Sequence, residues 1–172
     1  MRSLLLIGLI FCFGASAQKY SLVQSKMTYK VTHTLKISEG ISKEAKGKGL
    51  CDQGQCEFLV AVPVKSFDSG NSNRDLHMLQ VTKGAAHPMI VARLKIAQSE
   101  LAKESFPADV EVEAAGVKKV LHVNSVKRTG DLAVEFMLPF KLTDFGIERP
   151  SLLTVAVEDL APVTVYASFQ KE

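Results

Sequence analysis

From Lys26 onward the dominant pattern along the chain is strict alternation of apolar and polar residues. Met27, Tyr29, Val31, His33, Leu35 and Ile37 fall on one side of an extended segment, and Lys26, Thr28, Lys30, Thr32, Thr34 and Lys36 on the other. Successive side chains of a strand point to opposite faces, so this pattern predicts one long half-buried strand, ended by Gly40. A polar strand is predicted near 43–50. Phe58, Val60, Val62 and Val64 continue the alternation, and Pro63 marks an edge or a bulge. The pattern resumes over 89–97, then sets Val110, Val112 and Ala114 against Glu111 and Glu113. Further strands are predicted over 119–127 and 132–142, the latter with Leu132, Val134, Phe136, Leu138 and Phe140 on one face. In the last strand Val163, Val165, Ala167 and Phe169 oppose Thr164, Tyr166 and Ser168.

Three stretches break the alternation. In 67–89, Asp68-Ser69-Gly70-Asn71 is a turn cluster, and Asn71 or Ser72 caps a short helix with Leu76 and Leu79 on one side. Residues 98–107 read as a polar loop, and 143–153 as a loop with Gly146 and Pro150. Gly116 and Thr129-Gly130 mark hairpins. The sum is an all-β chain of about eight antiparallel strands with one short helical insertion and no internal repeat. A meander of this size removes its exposed edges by closing into a barrel. An eight-stranded barrel has an interior that side chains fill or that holds one small ligand.

The first residues read differently. Arg2, an apolar run over 4–13 and the small-residue site Ala15-Ser16-Ala17 predict a cleaved signal peptide over 1–17. The run is too short to span a bilayer, and no second long apolar segment follows, so no stable membrane insertion is expected. Cys12 follows Phe11, where a lipidation site wants a small residue. Residues 18–172 then form one exported domain, periplasmic or secreted, that retains Cys51 and Cys56. In an oxidising compartment the pair favours a disulfide, with Gly54 in a turn between the two cysteines. A redox motif or half a metal site is the alternative, but the four-residue spacing and the lack of further ligands fit neither well. Closing so short a loop contributes about 2 kcal/mol. With 21 basic and 18 acidic residues, the charge is too balanced to argue for nucleic acid.

The most specific stretch is Phe67-Asp68-Ser69-Gly70-Asn71-Ser72-Asn73-Arg74-Asp75-Leu76-His77-Met78, followed by His87-Pro88-Met89-Ile90. With Asp144-Phe145-Gly146-Ile147 and Pro150 later in the chain, it resembles the YceI-like family of exported bacterial proteins. The likeness runs from about Tyr20 to Phe169. It implies a lipocalin-like barrel that carries a polyisoprenoid or similar long apolar molecule, fatty-acid-like chains included. The cysteine hairpin departs from the family pattern. The absence of Trp excludes the Gly-x-Trp signature of true lipocalins, so that likeness is architectural.

Candidate lining residues for such a molecule are Met27, Tyr29, Val31, Phe58, Val60, Val62, Phe136, Leu138, Val163 and Val165; the same pattern also fits a filled core. Arg74 either ties the insertion to the barrel rim, with Asp75, or meets a ligand headgroup. His33, His77, His87 and His122 lack the spacing of a metal site, and His33 and His122 sit at inward-type positions of their strands. No nucleophile motif is present, and Glu111 and Glu113 are expected to face water. No cofactor, metal or enzyme activity is expected. The rival readings are a stress-response or interaction module with a filled barrel that recruits a protein partner, and an enzyme with a rim site at His77 and Asp75. Homodimerisation is left open.

Overall fold

The structure is a computed structural model that describes residues 17–130 and 132–172. The signal peptide expected over 1–17 therefore lies outside the described residues, save Ala17. Strand β1 (Gln18–His33) is followed by β2 (Lys36–Ser42), β3 (Lys46–Asp52) and β4 (Gln55–Pro63). Helix α1 (Ser72–Val81) precedes β5 (Met89–Ala97), β6 (Ser105–Ala114), β7 (Val117–Thr129) and β8 (Ala133–Leu138). A two-residue hairpin pair, β9 (Ser151–Leu152) and β10 (Val155–Ala156), comes before β11 (Val163–Lys171).

All wall pairings are antiparallel, and β11 pairs with β1, which closes the sheet. β2 and β3 are two halves of one wall strand: Met27 faces Ser42 and Ser21 faces Lys48 on a single continuous register along β1. The result is the expected eight-stranded closed barrel. Both long insertions, 64–88 and 139–162, rise from the same end, here called the upper end. The β3–β4 and β7–β8 turns and the 98–104 loop close the lower one.

The turns explain the closure. Gln53-Gly54 and Ala115-Gly116 each hold both residues at positive φ, the two-residue geometry whose twist matches that of antiparallel strands. The first sets Cys51 directly opposite Cys56, and the two form a disulfide with Cα atoms 4.0 Å apart. The polarity is apolar-in and polar-out, the reverse of a membrane barrel. Outside, Arg93 bridges Glu57 at 3.1 Å and Glu111 at 2.7 Å, and Lys118 lies 3.4 Å from Glu113, so both glutamates do face water. Among the described residues no helix is long and apolar enough to cross a membrane.

Four expectations are corrected. The alternation over 26–37 is not one strand: β1 stops at His33, Thr34 and Leu35 turn, and His33 pairs with Lys36. The turn contains no Gly, Pro, Asn or Asp, so nothing in the pattern announced it, and Leu35 and Ile37 are exposed rather than inward. Gly40 lies inside β2, opposite Tyr29. His122 points outward and contacts Asp109 at 2.7 Å, because the inward residues of β7 are Leu121, Val123 and, past a bulge, Val126. Pro63 is the last residue of β4, paired with Met89 on one side; the β3–β4 ladder ends at Ala61, so its other side is a local edge, as expected, and no bulge forms there. In α1, capped by Asn71 Oδ1 accepting from the Arg74 amide, Leu76 is exposed, and Met78 and Val81 supply the apolar packing.

Candidate functional site

The barrel encloses an apolar cavity of about 540 Å³ that opens at the upper end. That volume lies within the usual range for small-molecule sites, about 300–1,000 Å³. Inward side chains such as Val60, Ala92, Leu94, Phe136 and Val163 are only partly buried although strands flank them on both sides. Their remaining exposure is to the cavity. The barrel is therefore hollow rather than filled at mid-height.

One wall strand explains where the space comes from. Below Lys36 at the rim, the inward positions of β2 and β3 are all small: Ser38, Gly40, Ser42, Gly47, Gly49 and Cys51. Their cross-strand neighbours lie flat against them. A Cβ built on Gly40 would meet the Tyr29 ring at 2.4 Å, and one on Gly49 would meet the Phe58 ring at 2.4 Å. The glycines let two rings lie along the wall instead of projecting across the bore. Below, the rings of Tyr20 and Phe58 (5.9 Å) and of Phe58 and Phe169 (5.1 Å) cluster, and with Phe106 and Leu101 they make the floor.

The upper end carries the few polar groups. Arg74 donates from Nε to Ser69 Oγ (2.8 Å), from Nη2 to the Ser69 carbonyl (2.6 Å) and from Nη1 to Ser38 Oγ (3.4 Å). Asp75 accepts from the Ser69 amide (3.1 Å). These bonds tie the helical insertion to β2, while Arg74, His77, Lys36 and Ser38 also border the cavity. Burial, and next the nearby Asp75 carboxylate, push the Tyr29 phenol above its usual range, with Arg74 and a Ser69 hydrogen bond opposing them. Tyr29 therefore stays neutral and adds no charge to the interior. His33 is buried; its Nδ1 accepts from the Leu35 amide (3.1 Å), so Nε2 carries the proton it donates to the Val155 carbonyl (3.1 Å).

The second insertion is packed by its own motif. Phe145 is fully buried and stacks on Phe140 with centroids 4.2 Å apart, and Gly146 takes the left-handed conformation that ends the turn. Asp159 accepts from the Thr143 amide (3.0 Å) and hydroxyl (2.7 Å), which holds its carboxyl below the usual range. Arg149 clamps the Val157 carbonyl (2.8 Å).

All eleven residues expected to meet a ligand, Arg74 and the ten apolar positions, border this one cavity. Sequence reasoning missed the floor residue Leu101, in a stretch read as polar loop, and Met78 and Val81 of the helix. It also missed the small-residue wall, whose signal was Gly47 and Gly49 alternating with Lys46 and Lys48. His77 borders the cavity, whereas Asp75 is engaged by Ser69; among the described residues no group of metal-ligating side chains gathers.

Two solved structures share the architecture. A polyisoprenoid binding domain from Saccharophagus degradans, implicated in plant cell wall breakdown, is 15% identical with a TM-score of 0.66, covering 89% of this chain and 97% of that one. BcnA of Burkholderia cenocepacia is 15% identical with a TM-score of 0.71, covering 85% and 96%. No curated protein matches the chain. The YceI-like domain matches residues 19–169, nearly the whole barrel, and the chain belongs to the YceI-like family.

Proposed function

We propose that the protein holds one long apolar chain, an isoprenoid or similar lipid, in the barrel and performs no chemistry on it. The observation that carries this reading is the hollow apolar interior, with Arg74, His77, Lys36 and Ser38 bordering it at the upper end, where a polar headgroup would sit. The polyisoprenoid-binding domain with the same fold supports the ligand class. Burial of an alkyl chain yields about 0.8 kcal/mol per methylene, against an association cost of about 4–15 kcal/mol, so a cargo needs on the order of ten or more buried carbons.

Export with cleavage after Ala17 is part of the same proposal. It is supported by the start of β1 at Gln18 and by the Cys51–Cys56 disulfide, which suits an oxidising compartment.

Titration with a series of prenols of rising length tests the cargo reading. Kd is expected to fall about fourfold for each added methylene equivalent until the cavity is full, then level off. Affinity independent of chain length, or no binding at any length, would contradict it and favour a barrel that serves a protein partner.

A further inference from the structure

We infer that the open end of the barrel docks reversibly on a lipid bilayer through the tips of the β1–β2 and β9–β10 turns. The inference deepens the cargo reading and rests on it, because the cargo would pass between these tips. Leu153, 75% exposed, and Leu35, 68% exposed, are the two most exposed large apolar side chains among the described residues. Each is the apex of a turn, and the two turns are neighbours. His33 joins them, accepting from the Leu35 amide and donating to the Val155 carbonyl, and the Glu158 amide donates to the Thr32 carbonyl at 2.8 Å. Ile37 and Val155 extend the patch, and Leu76 stands exposed on the helix of the neighbouring insertion.

The backbone adds an independent observation. Leu153 and Thr154 both hold positive φ, 51° and 71°, in a two-residue turn that ordinarily uses Asn and Gly. Leu153 bears this conformational cost while three-quarters exposed, which points to a use outside the fold.

The occupant follows from position and charge. The patch is continuous with the cavity: Lys36 and Ser38 of β2, Ser151 of β9 and the preceding Pro150 all border it. What enters there must be as apolar as the wall, and its reservoir is a lipid phase. The patch is carried by the apices of two neighbouring turns, which suits insertion among lipid headgroups. The basic residues of the β1–β2 turn and the two insertions, Lys36, Lys65, Arg74, Lys83, Lys141 and Arg149, are matched by Asp68, Asp75, Asp144, Glu148, Glu158 and Asp159, so no net charge at this end favours an anionic surface. Apolar insertion should carry the binding.

The test is co-sedimentation of the purified protein with vesicles of phosphatidylcholine alone and of phosphatidylcholine mixed with phosphatidylglycerol, at low and high salt. Light scattering and prenol uptake are measured on the same samples. The protein is expected to pellet with both vesicles regardless of salt. Leu35→Ser with Leu153→Ser, at exposed positions that leave the fold intact, should weaken pelleting by about tenfold or more for each side chain and leave prenol uptake in solution unchanged.

Pelleting only with anionic vesicles and only at low salt would overturn the inference, because surface charge would then be responsible. No pelleting with normal prenol uptake would remove the docking and leave the cargo reading standing. A dimer broken by the double variant, with no pelleting, would overturn it by assigning the patch to a second copy. Pelleting without prenol uptake by either protein would overturn the cargo reading instead.

Discussion

Ala92→Phe is expected to weaken long-chain binding on the order of a hundredfold while leaving the fold as stable as before, or slightly more so. Ala92 sits at mid-height in β5 between Val60 and Val112, faces the cavity and is only partly buried. A phenyl ring there has space to occupy and apolar wall to cover, the situation in which filling a void stabilises a protein. The same ring excludes part of the cargo. Displacing about four methylene equivalents at about 0.8 kcal/mol each removes about 3 kcal/mol of binding free energy. The two effects have opposite signs, which separates a hollow barrel from a filled one. Urea unfolding and prenol titration of the same preparation measure both. A large loss of stability with unchanged Kd would show that the interior is already filled at Ala92 and that any cargo lies elsewhere.

The second large effect concerns the wall. Val110→Asp is expected to cost about 3–5 kcal/mol at neutral pH, because it buries a charge without a partner. Val110 is 2% exposed and lies between Leu94 and Leu121, with no cation opposite it on either strand. Burial raises the pKa of the new carboxyl above its unfolded value. Its neutral form is tolerated better, so the penalty should be smallest at acid pH and grow as pH rises above the unfolded value of about 3.9. The control is one residue away. Glu111 points outward to Arg93, and Glu111→Gln should change stability by about 1 kcal/mol or less. Equal effects of the two substitutions, measured by urea unfolding at two pH values, would mean that the inward face of β6 has been misassigned.

Much of this wall was legible as alternation. β5 and β11 start where the pattern places them, and the inward set of β8, Val134, Phe136 and Leu138, is the one its periodicity names. These strands have one apolar face and end at turn residues, so burial and local chemistry agree. The cysteine hairpin was legible for the same reason: Gly54 follows Gln53 between two residues that pair.

The misreadings occurred where local and global signals part. The Thr34-Leu35 turn has ordinary strand formers at its apex, and alternation runs through it unbroken, so a hairpin looked like one strand. In β7 a bulge shifts the register between Val123 and Val126, so His122 and the buried Val126, alike in parity, point to opposite faces, and alternation alone does not reveal it. The hollow interior itself could not be seen in the pattern, since lining and filling residues alternate alike. It depends on pairings between distant residues, Tyr29 with Gly40 and Phe58 with Gly49, that exist only once the register is set. Arg74 was legible as a distinctive residue, but its anchoring to Ser69 and Ser38 required the turn and β2 to be brought together.

Native mass spectrometry of the protein purified gently from its own membrane-containing cells tests the central claim most directly. The account predicts one apolar molecule per chain, released intact on activation and absent from the Ala92→Phe variant. A bare polypeptide mass that stays unchanged after incubation with long prenols would contradict it.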